Sequence, residues 1–187
     1  MENTTNYNTN ECIRINLADA DFTEKVMETA HLDYRMYTFV LKALSREQMI
    51  LDVTQSVVNY LNRFGELDTT AMWSHVDKKH IILEGGNAPE MTAIFESINE
   101  RDINCATYEN PNLNGIITAI SLIVDERVFN TEKYPGFIDW MESKYSDKMY
   151  ISRQFEDIRK EYYATCIGSV NNQFLRNLFK PFKTIAE

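Results

Sequence analysis

The sequence is short of several features that define particular classes of protein. No apolar run approaches the roughly 20 residues needed to cross a bilayer, and the start of the chain is neither basic nor apolar. The three cysteines, Cys12, Cys105 and Cys166, form no CxxC pair, so neither a disulfide framework nor a zinc site is predicted. With six glycines and no glycine-rich phosphate loop, the chain shows no nucleotide motif. We expect a protein of the cytoplasm, without a membrane span.

Histidine is also scarce, which limits the chemistry that can be predicted. The three histidines are His31, His75 and His80, and the last two lie five positions apart, with Asp77 between them. This spacing does not place both rings on one side of a helix or strand. No histidine can be assigned to a cysteine or serine as a catalytic base. We therefore predict no metal and no cofactor, and we expect surface or strand-end histidines.

Charge is plentiful but unevenly distributed. The formal net charge of the chain is −9, which repels phosphate backbones and argues against strong non-specific binding of nucleic acid. From residue 148 to the end, seven basic residues stand against four acidic ones, a net +3, so residues 1–147 carry −12. An RNA ligand would have to approach through this C-terminal part or a local patch. The alternative interpretation is that these charges lie on solvated helix faces.

Hydrophobic patterning predicts an α/β fold. Short β-rich apolar runs at residues 36–41, 80–83, 105–108 and 116–124 predict four strands. Ser45 with Gln48, and Asn87 with Glu90, are spaced as capping boxes that begin two helices. The last two strands are joined by a short loop and should be antiparallel. We predict a mixed four-stranded sheet with helices on both faces.

The first long helix shows an apolar stripe that should be buried. Gly65 is placed to end this helix. At helical spacing, polar residues fall on a separate face. The predicted buried stripe comprises Met49, Ile50, Val53, Val57 and Leu61, and the other face carries Asp52, Gln55, Ser56 and Asn59.

The remainder of the chain divides into a polar start and a helical end. Residues 1–11 are mostly Asn, Thr and Glu, so we predict a disordered tail, followed by an α/β domain over residues 12–129. Residues 130–187 should form a helical extension packed on the same domain, with helices at 137–145, 148–166 and 170–180. The third helix has an apolar stripe that must pack on its own domain, on a partner or on a second copy. That stripe comprises Val170, Phe174, Leu175, Leu178 and Phe179.

Residues 52–57, DVTQSV, and residues 111–120, PNLNGIITAI, are similar to two motifs of the type 2 peptidyl-tRNA hydrolases, and the resemblance, particularly to small bacteriophage-like members, covers about residues 37–129. The family's helix motif Gln-x-x-His-Ala-Val corresponds here to residues 52–57, DVTQSV, and its later motif Pro-Asp-Leu-x-x-x-Leu-Thr-Ala-Ile corresponds to residues 111–120, PNLNGIITAI. By resemblance, Asp52, Gln55, Asn112 and Thr118 occupy the catalytic motif positions, and only Thr118 keeps the family's residue type. Gln55 stands where the family has histidine. The family's basic helix residue has no direct counterpart, with Lys42 and Arg46 as the nearest cations for binding substrate.

The resemblance implies hydrolysis of the ester between a peptide and the 3′ end of tRNA, without a metal. Because glutamine cannot accept and return a proton, we instead expect a binding module for an RNA 3′ end or a cellular protein of the host. The alternative is an active hydrolase in which Gln55 and Thr118 position water. A third hypothesis is a protein–protein interaction, or a homo-oligomer, formed through the C-terminal helices.

Overall fold

A computed structural model describes residues 32–145 and 155–185 and shows a four-stranded mixed sheet. The strands are β1 (Tyr34–Leu41), β2 (Lys79–Gly86), β3 (Cys105–Asn110) and β4 (Ile116–Asp125). Their order is β2-β1-β4-β3, with β1 and β2 parallel and β4 antiparallel to both of its neighbours. The predicted α/β fold with a mixed sheet is confirmed. The predicted tail at residues 1–11 and the predicted domain start at residue 12 lie outside the described residues.

Within residues 32–145 and 155–185, seven helices connect, cover or follow the strands. Their bounds are α1 (Arg46–Phe64), α2 (Asp68–Met72), α3 (Ala88–Asn99), α4 (Glu126–Phe129), α5 (Phe137–Lys144), α6 (Phe155–Tyr162) and α7 (Val170–Phe179). A π-helical turn follows α2 at Trp73–Asp77, and another follows α6 at Tyr163–Ile167. The short α2 and α4 were not predicted from the sequence. The beginning of the helix predicted at residues 148–166 lies outside the described residues.

The polar residues that begin the helices behave largely as the sequence predicts. The Ser45 side chain accepts a hydrogen bond of 3.3 Å from the backbone N–H of Gln48 at the start of α1. At the start of α3, Asn87 and Glu90 each accept a hydrogen bond from the other's backbone N–H. These bonds satisfy N–H groups that a helix leaves unpaired in its first turn, so both helices begin at the predicted residues.

One face of the sheet is apolar and is covered by α3 and α7. Phe179 of α7 stacks on Tyr37 with ring centroids 4.5 Å apart, and the rings of Phe182 and Phe39 form a T-shaped contact with centroids 4.9 Å apart. Four residues of the apolar stripe on α7 thus pack in the core of their own chain, whereas Val170 of the predicted stripe is exposed. The buried residues of this core also include Leu83, Met91, Ile94, Ile98, Ile120, Leu122 and Leu175.

The opposite face is covered by α1, which is rotated from its predicted orientation. The buried residues of α1 are Asp52, Val53, Ser56 and Tyr60. The predicted stripe was wrong at Ile50 and Leu61, which are exposed, and at Asp52 and Ser56, which were assigned to another face. The reason is that this sheet face and β3 offer hydrogen-bond partners to polar side chains of α1, and these bonds decide which residues turn inward.

Both edges of the sheet have hydrogen-bonding partners. On the outer side of β2, the Glu84 N–H donates to Lys183 O at 3.1 Å, and the Ile185 N–H donates to Ile82 O at 3.0 Å. On β3, the Asn59 side chain of α1 donates to Thr107 O at 2.9 Å. Such contacts limit pairing of sheet edges with other chains.

The C-terminal helices contain a second, smaller core and a polar connection to the domain. Arg176 of α7 donates from its guanidinium to Tyr134 O at 2.8 Å and to Pro135 O at 3.3 Å, and it also bonds Arg127 O. These bonds hold α7 against the segment that follows β4. The buried residues of the second core are Trp140, Met141, Tyr145, Ile158, Tyr162, Cys166 and Ile167.

Candidate functional site

The residues singled out by the family resemblance lie mostly at one end of the sheet. Strands β1, β2 and β3 point the same way, because β1 is parallel to β2 and both β1 and β3 are antiparallel to β4. Ligand sites of open α/β sheets commonly lie at the carboxyl ends of the strands. We name this region the carboxyl-end rim and define it as residues 42–46, Asp52 and residues 110–115.

A buried carboxylate organises the rim. Asp52 is only 3% exposed, and the Asn110 amide donates to its two carboxylate oxygens at 3.2 and 3.0 Å. The Asn110 side-chain oxygen accepts the backbone N–H of Asn112 at 2.9 Å. Within the described ranges, no cation lies within ion-pair distance of Asp52, although buried carboxylates are usually paired with one. The bonds of Asn110 to Asp52 and to the Asn112 N–H therefore link α1 to the turn that carries Asn112.

The turn at residues 110–115 requires left-handed backbone conformations to reverse the chain. A 3₁₀ turn at Pro111–Leu113 is followed by Asn114, with φ of 57°, and by Gly115, with φ of 73°. Asparagine and glycine tolerate this region better than other residues. The reversal leaves the Asn112 side chain exposed to solvent beyond the buried Asp52–Asn110 pair.

The other two candidate catalytic residues are placed differently. Thr118 is fully buried at a bulge in the β3–β4 pairing, and its hydroxyl donates to Tyr108 O at 3.3 Å. Gln55 lies on an exposed position of α1, and its side chain forms no hydrogen bond to the part of the chain that the structure describes. The structure thus joins Asp52 and Asn112 through Asn110, whereas no hydrogen bond joins Gln55 to Thr118.

The two candidate cations stand at the end of β1 and the start of α1. Lys42 pairs with Glu84 at 2.9 Å, and this hydrogen bond raises the pKa of the lysine. Arg46 is exposed at the first position of α1 and forms no ion pair with the described residues. Arg46 is therefore available to an anionic group that approaches the N-terminus of α1.

Asn110 was missed by the sequence reasoning, although a signal for it exists. Asparagine directly before proline is a common turn-forming pair, because the asparagine side chain can bond the backbone two residues later. This is the bond that Asn110 makes to Asn112. Its contact with Asp52, 58 residues earlier in the chain, has no local signal.

A buried row of hydroxyls under α1 was also missed. Thr38 Oγ1 lies 2.7 Å from Ser121 Oγ and 2.8 Å from His80 Nε2, and Ser56 Oγ lies 2.9 Å from Ser121 Oγ. The three hydroxyl residues are fully buried, whereas His80 is exposed at the start of β2. Partial burial of the ring nevertheless lowers the pKa of His80. The signal was the presence of hydroxyl residues inside two apolar strands, Thr38 in β1 and Ser121 in β4.

Comparison with known proteins gave no matching family model and no matching curated protein. Over residues 32–145 and 155–185, no helix has the length and apolar character to cross a membrane. The same residues contain no group of three or more His, Cys, Asp or Glu side chains that could hold a metal ion.

Proposed function

We propose that the carboxyl-end rim binds the 3′ end of an RNA and does not hydrolyse it. The proposal rests on Asp52, the buried carboxylate of the rim. It is enclosed by the protein and already accepts hydrogen bonds from the Asn110 amide. A general base must reach the proton that it removes. Residue 55, where the resembling family has histidine, is a glutamine, and His80 lies at the opposite end of β2.

The groups that the rim exposes suit recognition of an RNA end. The amides of Asn112 and Asn114 can donate and accept hydrogen bonds, as base edges and ribose hydroxyls require. Arg46 and the N-terminus of α1 offer positive charge to one phosphate. A strand end needs few phosphate contacts, which fits a chain whose net charge is −9. The resemblance of residues 111–120 to a family that acts on tRNA ends supports the same ligand.

The hypothesis that the C-terminal helices bind a partner is weakened because most apolar side chains of α7 are already covered. Phe174, Leu175, Leu178 and Phe179 of α7 pack against the sheet of the same chain. Removing the chain after β4 would therefore uncover the main core. For this reason, the proposed function should be tested on the full chain with single substitutions.

Fluorescence anisotropy with a labelled, deacylated tRNA tests binding directly. We expect Asn112→Ala and Arg46→Gln each to weaken binding at least about fivefold, since each removes one polar or charged contact. Lys160→Gln, an exposed charge change on α6, is the control and should bind like the native chain. We also expect binding to weaken when the unpaired 3′ nucleotides of the tRNA are removed.

A peptidyl-tRNA hydrolysis assay distinguishes binding from catalysis. Turnover that disappears in both Gln55→Ala and Thr118→Ala would establish the hydrolase alternative and overturn the binding proposal. Equal affinity for tRNA with and without its 3′ nucleotides would show that the rim does not recognise an RNA end.

A further inference from the structure

A pocket of about 220 Å³ lies at the end of the sheet opposite the carboxyl-end rim. Its wall includes Tyr34 at the start of β1, residues 123–125 at the end of β4 and residues 103–104 just before β3. Side chains of α1, of α2 and of the first two turns of α7 complete it. The volume is below the ~300–1,000 Å³ of drug-sized sites, so a ligand of this pocket must be small. We name it the amino-end pocket.

The amino-end pocket combines an apolar wall with several polar groups. The apolar part includes Ile123 and Val124 of β4 and Leu175 of α7, and Leu175 also belongs to the main core. The polar part includes Asn171 and Asn172 in the first turn of α7. Such a lining suits a ligand with a short hydrocarbon part and a hydrogen-bonding head group.

The two asparagines of α7 offer hydrogen-bond acceptors to the pocket. The Asn172 amide nitrogen donates to Asp125 at 3.2 and 3.4 Å and to Ile167 O at 2.9 Å, and the Asn171 amide nitrogen donates to Arg101 O at 3.2 Å. Neither amide oxygen accepts a hydrogen bond from the residues that the structure describes. Because bonds through nitrogen hold both amides, their oxygens are positioned acceptors. A ligand should therefore supply donors.

The charge around the amino-end pocket favours a cation. The pocket is lined by the Asp125 carboxylate and by no Lys, Arg or His of the described ranges, although Arg127 pairs with Asp125 at 2.7 Å. Asp68 is exposed at the start of α2 and forms no ion pair with described residues. Burial raises the pKa of Tyr34, the charge of Asp125 raises it further, Arg127 opposes this, and Asp77 and Asp68 add to the rise. Negative charge thus reaches the pocket wall despite Arg127.

We propose that the amino-end pocket binds a small organic cation, an alkylammonium or alkylguanidinium ion with a short hydrocarbon part. These head groups carry N–H donors and no acceptor, which complements the oxygens of Asn171, Asn172 and Asp125. The hydrocarbon part contacts Ile123 and Leu175. The net charge of −9 also attracts cations to the chain. This inference goes beyond the proposed RNA binding and does not depend on it.

Four ligands of similar size and different charge test the inference on the full chain. They are n-butylammonium, n-butylguanidinium, neutral 1-butanol and anionic butyrate, titrated at constant ionic strength and followed by ¹H–¹⁵N NMR. We expect dissociation constants on the order of millimolar for the two cations, as befits ligands of about five to eight non-hydrogen atoms. 1-Butanol should bind at least about tenfold more weakly, and butyrate should not bind. The side-chain amide signals of Asn171 and Asn172 should shift with the cations.

Charge changes at the edge of the pocket test its location. Thr69 lines the pocket at an exposed position of α2. Thr69→Lys should weaken n-butylammonium binding about fivefold, and Thr69→Glu should strengthen it about threefold, because the new charge lies near the bound cation. Thr92→Lys, at an exposed position of α3, is the matched control and should leave the affinity unchanged.

Three results would overturn the proposal. One is the absence of saturable shifts up to about 50 mM n-butylammonium, well above a millimolar dissociation constant. Another is an affinity for 1-butanol or butyrate equal to that for the cations. The third is an affinity unchanged in both Thr69→Lys and Thr69→Glu, with circular dichroism showing both variants folded. A failure of tRNA binding would leave this inference standing, since the rim and the pocket lie at opposite ends of the sheet.

Discussion

The two faces of the sheet are covered by helices in different ways. On the face under α3 and α7, rings and aliphatic chains such as Phe39, Ile120 and Phe179 meet with little polar contact. On the face under α1, the side chains of Thr38, Ser121 and Ser56 form a continuous row of hydrogen bonds. One helix layer is held mainly by buried apolar area, and the other is positioned by polar contacts.

This difference decides what each helix presents to solvent. Apolar contacts are not directional, so α3 and α7 bury their apolar stripes and expose polar residues. Hydrogen bonds are directional and costly to leave unmade. Ser56 and Asp52 must face their partners, so α1 is fixed in a rotation that turns Ile50 and Leu51 outward. The exposed apolar side chains of α1 are thus a consequence of the polar layer beneath this helix.

The largest loss of stability is expected from a substitution on the apolar face. Phe39 is fully buried and contacts the rings of Phe179 and Phe182. We expect Phe39→Ala to lower the free energy of unfolding by about 3–5 kcal/mol, because it removes apolar burial and leaves a cavity. Urea denaturation followed by circular dichroism measures this change. Ile138→Ala, at an exposed position on α5, should stay within about 0.5 kcal/mol of the native chain. A loss below about 1 kcal/mol for Phe39→Ala would contradict the conclusion that buried apolar area holds this helix layer on the sheet.

Substitutions on the polar face should lower the free energy of unfolding by less, and their effects should be strongly coupled to one another. Thr38→Val leaves Ser121 and His80 without one partner each, and we expect it to cost about 1–3 kcal/mol of unfolding free energy. The double variant Thr38→Val with Ser121→Ala should cost less than the sum of the two single changes, because their mutual bond is lost only once. Urea denaturation of the four chains completes the cycle. Additive costs would show that the row does not act as a unit.

The smallest expected effect on stability is the pH dependence contributed by His80, which contacts Thr38 in the same row of hydrogen bonds. Burial holds the pKa of His80 below its ordinary value of 6.5, so the unfolded chain binds a proton more readily than the folded chain. Stability contributed by neutral His80 should therefore fall as the pH drops below about 6.5, until the folded ring also becomes protonated. Urea midpoints between about pH 7.5 and 5 should show a shallower loss for His80→Gln than for the native chain. His75→Gln is the control, and an identical profile for His80→Gln would refute the assignment.

Local signals were enough for the elements but not for the site. The Ser45 and Asn87 caps, Gly65 and the apolar runs mark where helices and strands begin and end, because these effects act within a few residues. The family resemblance singled out Asp52 and Asn112, and hydrogen bonds of Asn110 link the two residues. It could not reveal Asn110 as the residue that joins them, because a bond across 58 residues has no local pattern.

The sequence by itself determined the fold class, the order of the strands and longer helices, and the scarcity of histidine. Tertiary structure alone decided which side of α1 faces the sheet and that Asp52 would be buried against Asn110. The physical reason is one of range. Caps, turns and hydrophobic periodicity depend on near neighbours, whereas the partners of Asp52, Ser56 and Thr38 are supplied by strands that are distant in the chain.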